Sequence, residues 1–457
     1  MLVRFNVANY LSFFELTEFN MVSGDVRTKK HHTQNINDLE LLKFSLLYGA
    51  NGAGKSNLIT SIETLRRTIR QKRISHISED AHRFDQEHME KPTVFEIEFI
   101  SKKGTPFIYG LSVMDDMIEN EYLYISGLGK VKDKLVFDRQ KIDNNKSKLE
   151  LDKKYLKRKK DKDFLNVVQN SLLKNDQVAL SEFLQFDEDL VEFVSILKEA
   201  HYWIIRNLRI IHPSSKPVGL LFNLSQYGEF LDFSNDLLSK IDLGIKALHI
   251  VDYSLDDFLG ETDEDRKTRK RIVERLKDRE FYPLAVDVIA VKQESNGASQ
   301  YLIKKLVIEH KGKKKGVRFS YSEESDGTKR IIEYLSLIYE ILNPEFSGVY
   351  LVDEIERSIH PHLLKELIKK LVNSTTLTGQ LVFTTHESNL LDLDLFRQDE
   401  VWLTEKNNDG ATSFAPLSDY KIRNDLDIRK GYLKGRFGAI PMLANLEDLN
   451  WYKYATD

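Results

Sequence analysis

The chain has no cysteine among its 457 residues. That absence rules out disulfides, thiolate metal sites and cysteine nucleophiles, and it suits a reducing compartment. Long apolar runs are missing too, and none approaches the roughly 18 residues of a membrane span. Residues 1–16 are broken by Arg4, Asn6, Asn9 and Glu15, unlike the apolar centre of a secretory leader. A cytoplasmic protein that does not enter a membrane is therefore expected. Sustained heptads, internal repeats and low-complexity tracts are also absent, which argues against a long coiled-coil arm or a solenoid. The formal net charge of −4 at pH 7 argues against a uniformly basic nucleic-acid coat and leaves local basic patches open. With 41% hydrophobic and 30% charged residues, the composition is that of an ordinary packed protein, long enough for two or three structural units.

The most informative stretch is Gly49-Ala50-Asn51-Gly52-Ala53-Gly54-Lys55-Ser56. It fits G-x-x-x-x-G-K-[ST], the phosphate-binding loop. The apolar run 41–48 before it predicts a strand. Over 56–73, Leu58, Ile62, Leu65 and Ile69 recur at helical spacing. In that context the glycines let backbone N–H groups converge on phosphate oxygens, and the helix N-terminus faces the same point. Lys55 is the candidate for the β/γ-phosphates and Ser56 for Mg²⁺. Asn57 is grouped with the loop as a further nucleotide contact.

Around this loop, residues 3–10 and 15–22 alternate as an antiparallel strand pair. His31 and His32 sit in a polar stretch without metal-ligand spacing and are expected to be solvated. Strand patterns follow at 94–100, 107–114, 121–125 and 134–138. Between 141 and 280 helical periodicity takes over at 164–173, 190–207 and 230–241. The basic run 153–162 is expected to be a solvated helical face, and the acidic run 256–265 lacks the Gly and Glu positions of a calcium hand. Strands return at 285–292, 301–310 and 316–321. Lys311-Gly312-Lys313-Lys314-Lys315-Gly316 is a charged hairpin turn that could also contact phosphate. A helix is predicted over 329–342.

Residues 348–354 (G-V-Y-L-V-D-E) form an apolar strand ending in two acids. The strand tip is where open α/β sheets place ligands. Asp353 can hold Mg²⁺ opposite Ser56, and Glu354 can polarise an attacking water. Pro361 opens a helix through 372. The apolar strand 380–385 then delivers His386, a candidate γ-phosphate sensor.

This order of phosphate loop, long insertion, serine-glycine segment, D-E strand and histidine resembles the ABC-type ATPases of the SMC and RecF kind. The resemblance covers roughly the first hundred residues and 301–406. Gly49 to Ser56 is similar to Walker A, and Ser325-Asp326-Gly327-Thr328 to the signature motif. Asp353 and Glu354 resemble the Walker B aspartate and catalytic glutamate, residues 358–360 the D-loop, and His386 the switch histidine. The signature departs from the transporter form S-G-G-Q, and Gln86 is the nearest candidate for a Q-loop glutamine. A closer resemblance is to prokaryotic defence ATPases bearing E-S-D-G-T and D-E-I-E-x-S-I-H-P: the Overcoming Lysogenization Defect-like, RloA-like, abortive-infection L and PARIS ATPase subunits. Residues 395–406 and 432–441 are similar to the C-terminal stretch of the RloA-like branch.

The resemblance implies an α/β fold: an ABC-type head with a mixed sheet and phosphate-loop helix, and a helical insertion between Walker A and signature. The segments would be 1–140 and 281–406 for the two halves of the head, 141–280 for the insertion and 407–457 for a C-terminal extension. It implies ATP and Mg²⁺ as ligands and a dimer in which Ser325 and Gly327 reach the γ-phosphate held by the opposite subunit. It also implies a Toprim-like effector. Only about seventy residues follow His386, too few for a packed Toprim domain, so the effector is expected to be a separate chain. Two other readings compete: a RecF/SMC-like DNA-repair ATPase acting directly on DNA, and the energising subunit of a transporter. The atypical signature and the size of the insertion argue against the transporter.

Overall fold

The computed structural model describes residues 1–80, 90–143, 146–157, 159–169, 173–185, 191–217, 219–295, 298–314, 316–420, 422 and 427–437. Gln86, Leu190, Lys315, the 170–172 part of the expected 164–173 helix and residues 438–441 of the RloA-like stretch lie outside the described residues. The chain divides into two compact units. The first is built from residues 1–212, 344–355 and 368–457, the second from 213–343 and 356–367. Among the described residues no helix is long and apolar enough to cross a membrane.

In the first unit a seven-stranded antiparallel sheet faces a mostly parallel one. The antiparallel sheet runs, in spatial order, Lys146–Leu151, Lys134–Asp143, Met117–Ile125, Pro106–Met114, Thr93–Ile100, Leu2–Ala8 and Thr17–Asn20. The other sheet runs Leu208–Ile211, Val349–Val352, Gln380–Thr385, Phe44–Gly49, Val401–Lys406 and Thr412–Pro416; only the last strand is antiparallel. Strands 44–49, 349–352 and 380–385 are buried along their whole length. This explains why they are continuous apolar runs rather than alternating ones. Helix Lys55–Gln71 puts Leu58, Ile62, Leu65 and Ile69 into the same core as Phe5, Phe95, Leu47, Leu351 and Trp203.

The second unit carries an antiparallel sheet in the order Ile245–Ser254, Ala298–His310, Val288–Ser295, Phe281–Ala285, with Arg318–Ser320 paired to the 298–310 strand. Helix Asp326–Leu342 packs Tyr339 against Phe230 and Phe233 of helix Gly228–Lys240.

Three expectations change. Segment 141–280 supplies strands as well as helices: Leu208–Ile211 pairs with the 349–352 strand, and Ile245–Ser254 with the 298–310 strand. Hydrogen bonding to strands far along the chain overrides a local helical pattern there. His32 is buried rather than solvated, with Nδ1 2.9 Å from the Glu400 carboxylate. Burial pulls the imidazole down to about 4 and pushes Glu400 up, so both drift toward their neutral forms. The basic run also has an inward member, Tyr155, packed on Phe193.

Candidate nucleotide site

The site follows from strand register. Thr385 lies opposite Tyr48, so the next residue, His386, emerges beside Gly49 at the start of the loop. Val352 lies opposite Phe383, which sets Asp353 beside Thr384. Ile211 lies opposite Val352, and the Ile211 carbonyl accepts from the Asp353 amide at 2.9 Å. Parallel strands therefore bring Gly49, Asp353, His386 and His212 to one edge, where their carboxyl ends meet.

The loop is shaped by backbone that side chains disfavour. Gly52 and Gly54 have φ of 77° and 101°. A Cβ on Gly54 would sit 2.1 Å from Thr412 Oγ1, and one on Gly49 2.3 Å from the Thr404 carbonyl oxygen. Gly54 also caps helix 55–71, without a side-chain cap hydrogen bond. Behind the loop runs a polar relay. The Asn57 amide donates to Ser12 Oγ at 2.7 Å, Ser12 and Thr412 hydroxyls are 2.7 Å apart, and Thr412 donates to the Ala53 carbonyl at 2.9 Å. One proton per hydroxyl fixes the direction from Asn57 to Ala53. The Asn57 amide is thus engaged in holding the loop's shape.

Lys55 is buried, and its Nζ donates to the Gly49 and Ala50 carbonyls at 2.7 and 2.9 Å, with His386 Nδ1 at 3.3 Å. Ser56 Oγ donates to Asp353 Oδ1 at 2.9 Å. The same oxygen accepts from Thr384 Oγ1 at 2.6 Å, and Thr384 Oγ1 in turn accepts from the Glu354 amide at 2.8 Å. Glu354 is held at φ 49°, a left-handed conformation that costs a non-glycine residue about 1–2 kcal/mol. Such strain persists only where neighbours fix it, and Thr384 is one that does. Ser56 and Asp353 present hard oxygen donors of the kind Mg²⁺ takes.

Residues 44–392, more than half of the chain, match the family described as "AAA domain, putative AbiEii toxin, Type IV TA system". The chain belongs to this family. No curated protein matches it. Among solved structures it is similar to the SMC head domain from Thermotoga maritima, at 12% identity and a TM-score of 0.38 over 91% of this chain and 98% of that one. It is also similar to the Smc head with an extended coiled coil bound to the C-terminal domain of ScpA, derived from Pyrococcus furiosus. There the identity is 13% and the TM-score 0.43, over 92% and 97% of the two chains.

Residues 49–56, Asp353, Glu354 and His386 all belong to the first unit. Ser325 and Gly327 belong to the second unit. Ser325 is the N-cap of helix 326–342, accepting from the Thr328 amide at 3.1 Å. A Cβ on Gly327 would come within 2.7 Å of the Ser358 carbonyl, so the absence of a side chain here lets residue 358 lie against the helix start. Four residues of the site escaped the sequence reading, Ser12 of the relay among them. Thr384 and Thr412 act through single hydroxyls with no pattern around them. His212 follows a four-residue strand, and its Nε2 is 2.7 Å from Glu63 Oε2 on helix 55–71. The hydrogen bond to Glu63, with smaller help from the charges of Glu63 and Asp353, raises the His212 pKa against the effect of burial.

Proposed function

We propose that the chain hydrolyses ATP with Mg²⁺ in a site that a second copy completes. The convergence of Lys55, Ser56, Asp353 and Glu354 at one edge of the parallel sheet supports this reading most directly. Lys55 exchanges its two loop carbonyls for β/γ-phosphate oxygens, and loop N–H groups take the rest of the phosphate charge. Ser56 and Asp353 hold Mg²⁺, which when bound neutralises charge on the phosphates. Glu354, fixed in direction by its left-handed backbone, polarises the attacking water. His386, beside Lys55, contacts the γ-phosphate. Phosphoryl transfer is mostly positioning and electrostatics, and a group supplied in trans is worth about 10³–10⁵ in rate. Ser325 and Gly327 of a second copy are assigned that part, so ATP closes a dimer and hydrolysis opens it.

The family's description names a type IV toxin–antitoxin system. In line with it, the ATP cycle regulates a separate effector, in our reading a Toprim-type nuclease in anti-phage defence. The test of the shared site is light scattering on Glu354→Gln with saturating Mg-ATP. A dimer is expected, and a persistent monomer sinks the composite site. Pull-down from the native host with and without ATP tests the effector; recovery of no Toprim-type protein under either condition would overturn that part.

A further inference from the structure

The lysine turn after the 298–310 strand lies outside the nucleotide chemistry, and its surroundings give it a direction. A cavity of about 440 Å³ opens there, lined by His310, Lys311, Lys313, Lys314, Glu323 and Glu324 among others. Both of its carboxylates have hydrogen-bond partners outside the turn. Glu323 accepts from the Ser320 amide and hydroxyl, each at 2.7 Å, and Glu324 is 2.6 Å from His310 Nε2. Lys311 Nζ donates to a neutral carbonyl, that of Ser239, at 3.0 Å. Lys313 and Lys314 are exposed and, among the described residues, have no carboxylate partner. Elsewhere on the same sheet, Lys246, Lys292 and Lys304 are each paired with an acid. Three lysines, Lys311, Lys313 and Lys314, thus meet on one turn without a carboxylate partner among the described residues.

From this we infer that the 311–314 turn docks on the phosphodiester backbone of a nucleic acid and transmits that contact to the signature helix. Point-charge ammonium groups on successive residues suit phosphates in series, and the turn offers no planar side chain for reading bases, so binding is independent of sequence. The transmission line is short. His310 ends the strand and holds Glu324, and Glu324 is followed by Ser325, the cap of helix 326–342. Drawing the turn toward a phosphate pulls on His310 and hence on the residue that precedes Ser325.

Docking stands independently of the ATPase reading; transmission rests on the role given there to Ser325. The test uses the full chain and a short fluorescein-labelled duplex, as DNA and as RNA, followed by anisotropy across salt concentrations. The duplex bound more tightly identifies the strand. Lys313→Glu with Lys314→Glu should weaken binding at least tenfold and lower the salt slope by about 1–2, at roughly 0.9 per phosphate contact. The same double variant should bind Mg-ATP like wild type, which separates failure here from failure at the phosphate loop. His310→Ala should keep duplex affinity but lose any duplex-dependent change in ATP-driven dimerisation. Unchanged affinity in the double variant overturns the docking, as does equal competition by poly-glutamate of matched charge. Retained coupling in His310→Ala overturns the transmission.

Discussion

Replacing Thr384 by valine removes one hydroxyl and leaves shape and volume nearly unchanged, yet that hydroxyl ties both acids of the site. Its donation to Asp353 Oδ1 at 2.6 Å is a bond to a charged group, worth about 1.5–3 kcal/mol. Its acceptance from the Glu354 amide at 2.8 Å satisfies a donor whose orphaning costs about 1–3 kcal/mol. The added methyl returns about 0.8 kcal/mol by burial. The net loss is about 2–5 kcal/mol, shared between stability and the positioning of Asp353 and Glu354. Steady-state hydrolysis should therefore show kcat reduced at least about tenfold, since each 1.4 kcal/mol is a factor of ten. The KM for ATP should stay within about threefold, because Lys55 and the loop amides are untouched. Thr384→Ser keeps the hydroxyl and should stay close to wild type. A Thr384→Val enzyme with wild-type kcat would refute the idea that this hydroxyl organises the acids.

Other expectations concern the loop, the signature and pH. Gly54→Ala drives a Cβ to 2.1 Å from Thr412 Oγ1 at φ 101°, so Mg-ATP affinity should fall at least about tenfold by calorimetry, with overpacking costing about 1–3 kcal/mol. Glu354→Gln should bind ATP normally while hydrolysing it about 10²–10⁴-fold more slowly. Gly327→Ala meets the Ser358 carbonyl at 2.7 Å; it should bind ATP but fail to dimerise by light scattering. In the His212–Glu63 pair, the hydrogen bond raises His212 above 6.5 and lowers Glu63 below 4.5. The histidine's contribution to stability is complete below 6.5 and fades as pH rises through its raised value; the glutamate's is present above 4.5 and fades as pH falls through its lowered value. The pair therefore stabilises most between these limits. NMR titration should show the His212 pKa falling in Glu63→Gln, and an unchanged value would contradict the pairing.

The fold's centre was legible because buried parallel strands write themselves as apolar runs. Gln380–Thr385 is bounded as expected, and the acidic pair follows directly on Val349–Val352. The phosphate loop announces itself through glycines whose positive φ the structure requires. What stayed hidden depends on register. Thr384 matters because Val352 lies opposite Phe383, and Ser12 matters because Thr412, 400 residues on, bonds it. Such pairings leave no local period to find. The Leu208–Ile211 strand follows directly on the 203–207 π-helical turn and was hidden by it, and His212 with it. His32 looked solvated because its partner, Glu400, lies in a distant segment.

Calorimetric titration of the purified chain with ATP, in the presence of Mg²⁺, tests the central claim most directly. One ATP should bind per chain, and Lys55→Ala should abolish binding. The absence of any heat of binding in the wild-type protein, or equal binding by Lys55→Ala, would contradict it.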